Sequence, residues 1–472
     1  MTSETAFSAL NRFGLGARPG EADGLGDARD WLLGQLRPGI PGSFSGLPGS
    51  RQYLAREQAY LARARTGRNA GDDGQEPAVD AVAGFRQSFG ADLQREYGTR
   101  LRHALATDQG FLERLVRFWS NHFAVSVDKF AALLYAAPME REAIRPHLLG
   151  KFGDLLVSAS QHPGMLRYLD NAQSIGERSP MAERRARRGQ QLGLNENLAR
   201  EILELHTLGV DGGYTQDDVR ELARALTGWS TPAPLDERVS ARRLQREPLG
   251  PHGAVFRGVA HEPGARVVLG KRYREAGADQ AEAILRDLAL HPSTARHLAG
   301  KLARHFVADD PPAALVDALA ARYLDSGGDL GAMTRALVGH PLAWSASARK
   351  FKTPDDFLVS ALRAFAITDV PDPRRVIGLL DRMGQPPFNP RSPAGFADDA
   401  GAWAGADGLF KRMQVAEVLA GMVPPGATPG ARAQAVIGPR LDAETRRAMA
   451  GAESPAQGIA VLLASPAFQW RT

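Results

Sequence analysis

Hydrophobic side chains recur at three- and four-residue steps along most of this chain, which is the spacing of one face of an α-helix. Leu112, Leu115, Val116 and Trp119 follow this pattern, whereas alternation of apolar and polar residues is scarce. The spacing predicts helices over 28–37, 51–65, 82–106, 110–123, 140–158, 195–208, 216–228, 277–289, 293–307, 312–325, 329–338, 354–367, 373–382, 407–422 and 440–450. We therefore expect an all-α fold in which residues 1–472 form a single large multi-helix domain.

Two local signals predict where helices begin. Thr215 followed by Asp218 resembles a capping box, in which each residue's side chain bonds the backbone N–H of the other. Pro292 followed by Ser293 predicts that the Ser293 hydroxyl caps the next helix.

Glycine, proline and arginine mark three segments that should interrupt the helices. They are an Arg-rich flap at 171–194, an irregular excursion at 228–270 and a Pro/Gly-rich loop at 384–408. The excursion contains the one good strand candidate, Arg266–Leu269, because its residues are largely β-branched and aliphatic. We therefore expect at most a small β-hairpin.

The composition is that of a globular protein, with 43% hydrophobic and 24% charged residues. The chain has no cysteine, which excludes disulfides, thiolate metal sites and cysteine nucleophiles. Its net charge of +5 is small for 472 residues, so binding to nucleic acid is not predicted. No apolar run approaches the roughly 20 residues of a membrane helix. The N-terminus shows no signal peptide, so we expect a cytoplasmic protein, or a periplasmic one if the chain was trimmed or co-exported.

The segment 194–209 separates polar chemistry from an apolar face more clearly than any other. On a helix that turns about 100° per residue, Leu198 and Leu205 lie on the apolar face. Glu201 falls at one margin of that face and His206 falls at the other. A helix that needed only solubility would place its carboxylates on the opposite side.

Two interpretations of Glu201 stay open. Either it forms a buried ion pair with an arginine such as Arg200, or it lines a pocket as a carboxylate with a raised pKa, suited to acid–base catalysis. Glu204 and His206 lie on different sides of this helix, so one metal ion cannot bind both. The chain also lacks a Walker loop and a dinucleotide fingerprint, and no cofactor or metal is predicted.

Three other segments supply candidate polar groups. His122 stands at the end of a strongly apolar helix and is either a core histidine or an imidazole that faces the same pocket as Glu201. Asp170 ends an apolar run before the Arg-rich flap. His261 lies in the excursion, where packing does not explain a loop histidine.

Six motifs carry a family resemblance, at 9–16, 118–123, 195–209, 214–229, 291–302 and 352–357. They resemble the bacterial family called domain of unknown function 1800 over essentially the whole chain, from about Ala9 to Phe468. The resemblance implies a largely helical bacterial protein whose relatives are often encoded beside a sulfatase-like partner family. The family pattern is matched at Asn121, His122, Asp170, Asn195, Glu196, Glu201 and Trp229.

We expect a hydrolase that acts on a glycan or an ester-bearing polymer through a cleft of carboxylates and histidine. Helical folds can host the paired carboxylates of glycoside hydrolysis, and aromatic rings can stack on sugars. The predicted catalytic residues are Glu201, Asp170, Glu196 and His122, and the predicted substrate-binding residues are Trp119, Asn121, Asn195, Asn197, Trp229 and His261. Two alternatives stay open: a non-catalytic partner or chaperone of a sulfatase-like protein, and a metal-binding protein that uses histidines and carboxylates.

Overall fold

The helices occupy most of the chain in the computed structural model, which describes residues 3–68, 77–190, 193–232, 249–424 and 426–472. Those residues contain 23 α-helices, which confirms the predicted all-α class. The helices span Ser3–Ser8, Ala28–Leu33, Ser50–Arg68, Pro77–Ala106, Gly110–His122, Ala136–Met139, Phe152–Gln161, Pro163–Tyr168, Pro180–Ala186, Asn197–Glu201, Gln216–Leu226, Ala278–Ala289, Pro292–Phe306, Ala313–Asp325, Leu330–Gly339, Pro354–Ala364, Pro373–Arg382, Ala400–Trp403, Ala406–Ala420, Pro429–Val436, Ala443–Ala450, Pro455–Ala464 and Pro466–Gln469. None of these helices combines the length and hydrophobicity needed to cross a bilayer.

The strands in the described ranges form three antiparallel pairs, each very short, and Lys151 and Asp329 form one isolated antiparallel bridge. Arg266–Val268 pairs with Lys271–Tyr273 and forms the predicted hairpin. The other two pairs join distant segments, Trp229–Ser230 with Val255–Phe256 and Lys350–Phe351 with Trp470–Arg471. Local sequence patterns cannot reveal such pairs, because their partners are not neighbours along the chain.

The three segments expected to be irregular contain regular elements as well. The Arg-rich flap includes the helix Pro180–Ala186, and the Pro/Gly-rich loop includes Ala400–Trp403. The excursion contributes the strands Trp229–Ser230 and Val255–Phe256. Residues 191–192 of the flap and 233–248 of the excursion lie outside the described residues.

Of the two predicted helix starts, the structure confirms the cap at one and shows a different cap at the other. Thr215 and Asp218 form the predicted capping box. Ser293 is not the cap of its helix, because the ring of His291 accepts the hydrogen bond from the Ser293 backbone N–H at 3.1 Å. His162 and His340 cap helices in the same way, each followed by proline at the first helical position. These three histidines therefore have a structural explanation.

The predicted helix at 195–208 changes its winding halfway. Asn197–Glu201 is α-helical, but Ile202–His206 is a π-helix, whose wider turn shifts the following side chains around the axis. As a result, Leu203 and His206 are buried whereas Leu205 is only half-buried. The projection at 100° per residue is wrong beyond Glu201 for this reason.

Many of the arginines lie in buried ion pairs, as a chain rich in arginine favours. Arg145 illustrates the geometry: two of its nitrogens each lie 2.7 Å from a carboxylate oxygen of Glu113. Both side chains are almost completely buried. Arginine suits such sites because its planar guanidinium satisfies both carboxylate oxygens together.

Two large hydrophobic clusters form most of the core. The first includes Phe118, Met139 and Ile144, and the second includes Tyr97 and Leu380. Leu25, Trp31 and Phe388 are partly buried side chains that pack against both clusters.

Candidate functional site

A cavity of about 540 Å³ lies where these two clusters meet. Its walls include Met139 and Ile144 from the first cluster and Tyr97 and Leu380 from the second, and Phe388 joins them. This volume falls in the usual range for sites that bind small molecules or one unit of a polymer. We therefore take this cavity as the candidate site.

The Pro/Gly-rich loop at 384–408 forms one wall of the cavity. Asn121 holds this loop, because its side-chain amide bonds the backbone N–H and C=O of Phe396 at 2.8 Å each. Gly395 has a φ of +82°, and a Cβ at this position would lie 2.5 Å from the Asn121 carbonyl oxygen. Only glycine lets the loop approach so closely, which brings Asp398 to the cavity wall.

Asp398 meets His305 at this wall. His305 belongs to the helix Pro292–Phe306, and its Nδ1 lies 2.7 Å from Oδ2 of Asp398. Although burial alone would raise it, contact with His305 and the charges of Lys350 and Arg471 lower the pKa of Asp398 to about 2. Asp398 is therefore ionised at neutral pH.

An ionised carboxylate only accepts hydrogen bonds, so Nδ1 of His305 carries the ring proton. Burial lowers the pKa of His305, an effect stronger than the opposing charge of Asp398. The ring is therefore neutral at pH 7, and Nε2 carries a lone pair. This nitrogen is buried and has no hydrogen-bond partner among the described residues. The pair has the arrangement of a histidine base oriented by a carboxylate.

Lys301 lies one helical turn before His305 and also lines the cavity. Burial lowers the pKa of Lys301 to about 8. The charge of Arg304 also lowers this pKa, whereas the charge of Asp398 raises it. In the described part of the chain, no acceptor bonds its ammonium group and no carboxylate forms an ion pair with it. A cation thus faces the cavity next to the histidine base.

His122 and Asn121 are the two residues of the predicted site that line this cavity. Nε2 of His122 donates to the backbone carbonyl of His206 at 3.1 Å. Burial, then the charge of Lys301, lowers the pKa of His122 well below its usual value, so the ring is neutral. The Asn121 side chain is committed to the backbone of Phe396.

Glu201 lies elsewhere and is half-buried. Burial, reinforced by the charge of Glu204, raises its pKa, whereas Arg200 opposes that effect. No cation among the described residues bonds its carboxylate, since Arg200 bonds Glu196 and Gln216 instead. Of the two interpretations of Glu201, the buried pair with an arginine is therefore not found within the described residues. Its pKa is raised, as the other interpretation expected.

Glu196, Asn195 and Asn197 surround the start of the same helix. Glu196 accepts hydrogen bonds from Arg200 at 3.2 Å and from Gln216 at 2.7 Å. The Asn195 side chain accepts from the backbone N–H of Asn197, whose own side chain is exposed. These contacts explain Glu196 and Asn195 through the helix start, and none of the three residues lines the cavity.

Asp170 also lies outside the cavity. Its carboxylate pairs with Lys129 at 2.6 Å, and its φ of +59° is left-handed. The neighbouring Tyr168 has a pKa raised by burial and then by the charge of Glu201. Tyr168 and Glu201 are therefore neighbours, and both are partly exposed.

The remaining predicted residues occupy packed positions. Trp119 and Trp229 are 1% and 2% exposed, so neither ring can stack on a sugar in the cavity. The Nδ1 atom of His261 lies 2.8 Å from the carbonyl oxygen of Thr227, which explains this histidine through the fold of the excursion. Among the described residues, no group of three or more histidines and carboxylates is arranged to hold a metal ion.

Sequence reasoning missed His305, Lys301 and Asp398 as the polar centre of a cavity. One signal could have indicated the first two, because His297, Lys301 and His305 recur at four-residue steps and share one helix face. Asp398 lies 93 residues from His305 along the chain, in a loop that shows no periodicity. Only the folded chain brings these two together.

The family model described as protein of unknown function (DUF1800) matches residues 8–470. No curated protein and no solved structure matches the chain. Because the family model covers nearly the full length, the chain belongs to the DUF1800 family.

Proposed function

We propose that this member of the DUF1800 family is a hydrolase that cleaves an ester bond with water activated by His305. The observation that carries the proposal is the contact of His305 Nδ1 with Asp398 at 2.7 Å, in a histidine that lines the cavity and whose Nε2 is buried and has no hydrogen-bond partner among the described residues. A neutral imidazole in this tautomer accepts a proton from water as the oxygen attacks the ester carbon. Asp398 stabilises the imidazolium that forms, and His305 then returns the proton to the leaving alkoxide.

The carboxylates of the cavity favour ester cleavage over glycosidic cleavage at this site. Glycosidic cleavage needs one carboxylic acid that remains protonated until it protonates the leaving oxygen. Burial alone would raise the pKa of Glu140 and of Asp356, but the cations around them lower both instead. Asp398 is ionised as well, so none of these three carboxylates is a proton donor at neutral pH.

The test is hydrolysis of a panel of p-nitrophenyl acyl esters, neutral and acidic, by the full chain and by His305→Gln and Asp398→Asn. We expect ester hydrolysis by the wild type and a loss on the order of 10²-fold or more in His305→Gln, because no base remains. His147→Gln is the matched control, since His147 is a half-buried histidine outside the cavity. Hydrolysis by His305→Gln at the wild-type rate, or no hydrolysis of any ester by the wild type, would overturn the proposal.

Glu201 supports a second candidate, glycosidic cleavage at the partly exposed surface that it shares with Tyr168. Burial and the charge of Glu204 raise the pKa of Glu201, as a catalytic acid requires. Tyr168 and Tyr214 offer partly exposed rings beside it. A panel of p-nitrophenyl glycosides tests this candidate: activity abolished by Glu201→Gln and unchanged in His305→Gln would favour it over ester cleavage.

A further inference from the structure

We infer that the cavity binds a substrate with an anionic oxygen group, a carboxylate, phosphate or sulfate, which Lys301 and Arg304 hold beside His305. The inference rests on the proposed ester hydrolysis only in placing this group next to the bond that is cleaved. The two cations lie three residues apart on the helix Pro292–Phe306, so they project from the same face.

The other cationic side chains that line the cavity are already neutralised. Arg100 lies 2.9 Å from an oxygen of Glu140, and Arg117 lies 2.9 Å from an oxygen of Asp355. Because their charges are compensated by these carboxylates, the two arginines attract an anionic ligand only weakly. For the same reason, the two carboxylates offset little of the charge of Lys301.

Lys301 and Arg304 differ from these arginines. Among the described residues, no acceptor bonds the Lys301 ammonium, and Arg304 bonds only through its Nε, which donates to the backbone carbonyl of Asp309 at 3.0 Å. Enclosing an ammonium that has no ion-pair partner in a cavity is unfavourable relative to water. An anion bound between the two side chains would offset that cost.

The groups around Lys301 do not supply the missing negative charge. His122, His206 and His297 face it, and burial followed by the charge of Lys301 lowers the pKa of all three, so they are neutral. Asp398 is the one carboxylate whose charge raises the pKa of Lys301. That carboxylate is shared with His305 at 2.7 Å and with Lys350 at 3.8 Å.

The remaining carboxylates of the cavity are also engaged. Asp309 pairs with Lys350, and Asp356 lies 2.8 Å from Arg114. Asp399 is exposed, and its carboxylate accepts a hydrogen bond from the backbone N–H of Ala402 at 3.0 Å. Within the described residues, none of the acidic residues of the wall therefore pairs with Lys301.

The rest of the lining suggests the shape of the ligand. Phe118, Phe388 and Phe396 add apolar surface beside the cations. A molecule that fits both parts carries its negative charge at one end and an apolar or ring portion at the other. Neutral esters should therefore be poorer substrates than acidic esters of the same size.

The test is calorimetric titration of the full chain with inorganic phosphate, sulfate and acetate separately, at low ionic strength and pH 7. We expect one site for at least one of the three anions, and the preferred anion identifies the group. Lys301→Met and Arg304→Gln should each weaken binding by about tenfold or more. Arg322→Gln is the matched control, because Arg322 is exposed on the neighbouring helix Ala313–Asp325. No binding of any anion, or equal binding by Lys301→Met, would overturn the inference.

Two further measurements separate this inference from the proposed reaction. His305→Gln should keep the anion affinity while it loses hydrolysis, so binding without hydrolysis would leave the inference intact and count against the reaction. If the wild type hydrolyses esters and none of the anions inhibits it, the proposed reaction would stand and the inference would be contradicted. Lys301→Met should melt at or above the wild-type temperature, because it removes a cation that has no ion-pair partner. A melting temperature lowered by more than a few degrees would show that Lys301 stabilises the fold and would count against the inference.

Discussion

The side-chain amide of Asn121 makes both of its hydrogen bonds to the backbone of Phe396, each 2.8 Å long. Its oxygen accepts from the N–H and its nitrogen donates to the C=O, so one side chain satisfies both backbone polar groups of Phe396. Phe396 stands two residues before Asp398. The orientation of the carboxylate that contacts His305 therefore depends on this clamp.

Replacing Asn121 by alanine should destabilise the protein and disturb the site. The substitution removes two hydrogen bonds and leaves two partly buried backbone groups of Phe396 unpaired, a cost of about 1–3 kcal/mol. Urea unfolding measures the loss, and the rate of ester hydrolysis should fall with it. Asn197→Ala is the control, because that side chain is exposed and should change the free energy of unfolding by less than about 0.5 kcal/mol. Equal effects of the two substitutions would contradict the role of the clamp.

Gly395→Ala should destabilise the same loop from the opposite side. The new Cβ would lie 2.5 Å from the Asn121 carbonyl oxygen, and the φ of +82° is unfavourable for alanine, so we expect a loss of about 1–3 kcal/mol. Gly378→Ala should have the opposite sign, because Gly378 lies in the helix Pro373–Arg382 with no atom near its Cβ position. Alanine should stabilise that helix by about 0.5–1 kcal/mol. Chemical denaturation of both variants measures whether the free energy of unfolding falls in Gly395→Ala and rises in Gly378→Ala.

Glu201→Gln should leave stability unchanged or increase it at pH 7. Burial raises the pKa of Glu201, so its charged form is less favourable in the folded chain than in the unfolded chain, and a neutral side chain removes that penalty. Glu113→Gln is the contrasting variant, because it removes the negative charge that pairs with the buried Arg145 through two 2.7 Å contacts. We expect Glu113→Gln to cost about 3–5 kcal/mol. A lower melting temperature for Glu201→Gln would mean that Glu201 stabilises the fold.

The pH dependence of stability should show the Asp398 contact. Cations near Asp398 lower its pKa to about 2, against the effect of burial, while the unfolded chain has a pKa of about 3.9. Since the folded pKa is the lower one, the contact stabilises the fold above about pH 4, and this stability is lost as the pH falls through 2. The contribution is about 2 kcal/mol at neutral pH. The difference in unfolding free energy between the wild type and Asp398→Asn should therefore shrink between pH 6 and pH 2; a constant difference would contradict the assignment.

The sequence was sufficient for the helical architecture and for one part of the candidate site. Helices such as Gly110–His122 follow from apolar spacing, and the capping box at Thr215 follows from two residues three apart. The loop at 384–408 was marked by its prolines, and it does form a cavity wall. These features depend on neighbours along the chain, which is where sequence patterns carry information.

The centre of the site could not be found in this way, for two physical reasons. The contact between His305 and Asp398 joins residues 93 positions apart, and no local pattern encodes that distance. The segment around Glu201 contains a π-helical turn, so a projection that assumes regular winding misplaces the side chains that follow. A polar residue at the edge of an apolar face indicated partial burial correctly, but not which cavity it faces.

Because the walls of the cavity come from both hydrophobic clusters, with Phe388 packed against each, occupancy of the cavity and unfolding of the chain are linked equilibria. A bound molecule would hold the two clusters together, and at a concentration of 100 times its dissociation constant it would add about 2.7 kcal/mol to the free energy of unfolding. A rise in the melting temperature of the intact protein then reports ligand binding, even when the reaction is unknown. Screening small anions and acidic esters for the compounds that raise it would identify the chemistry of the cavity directly.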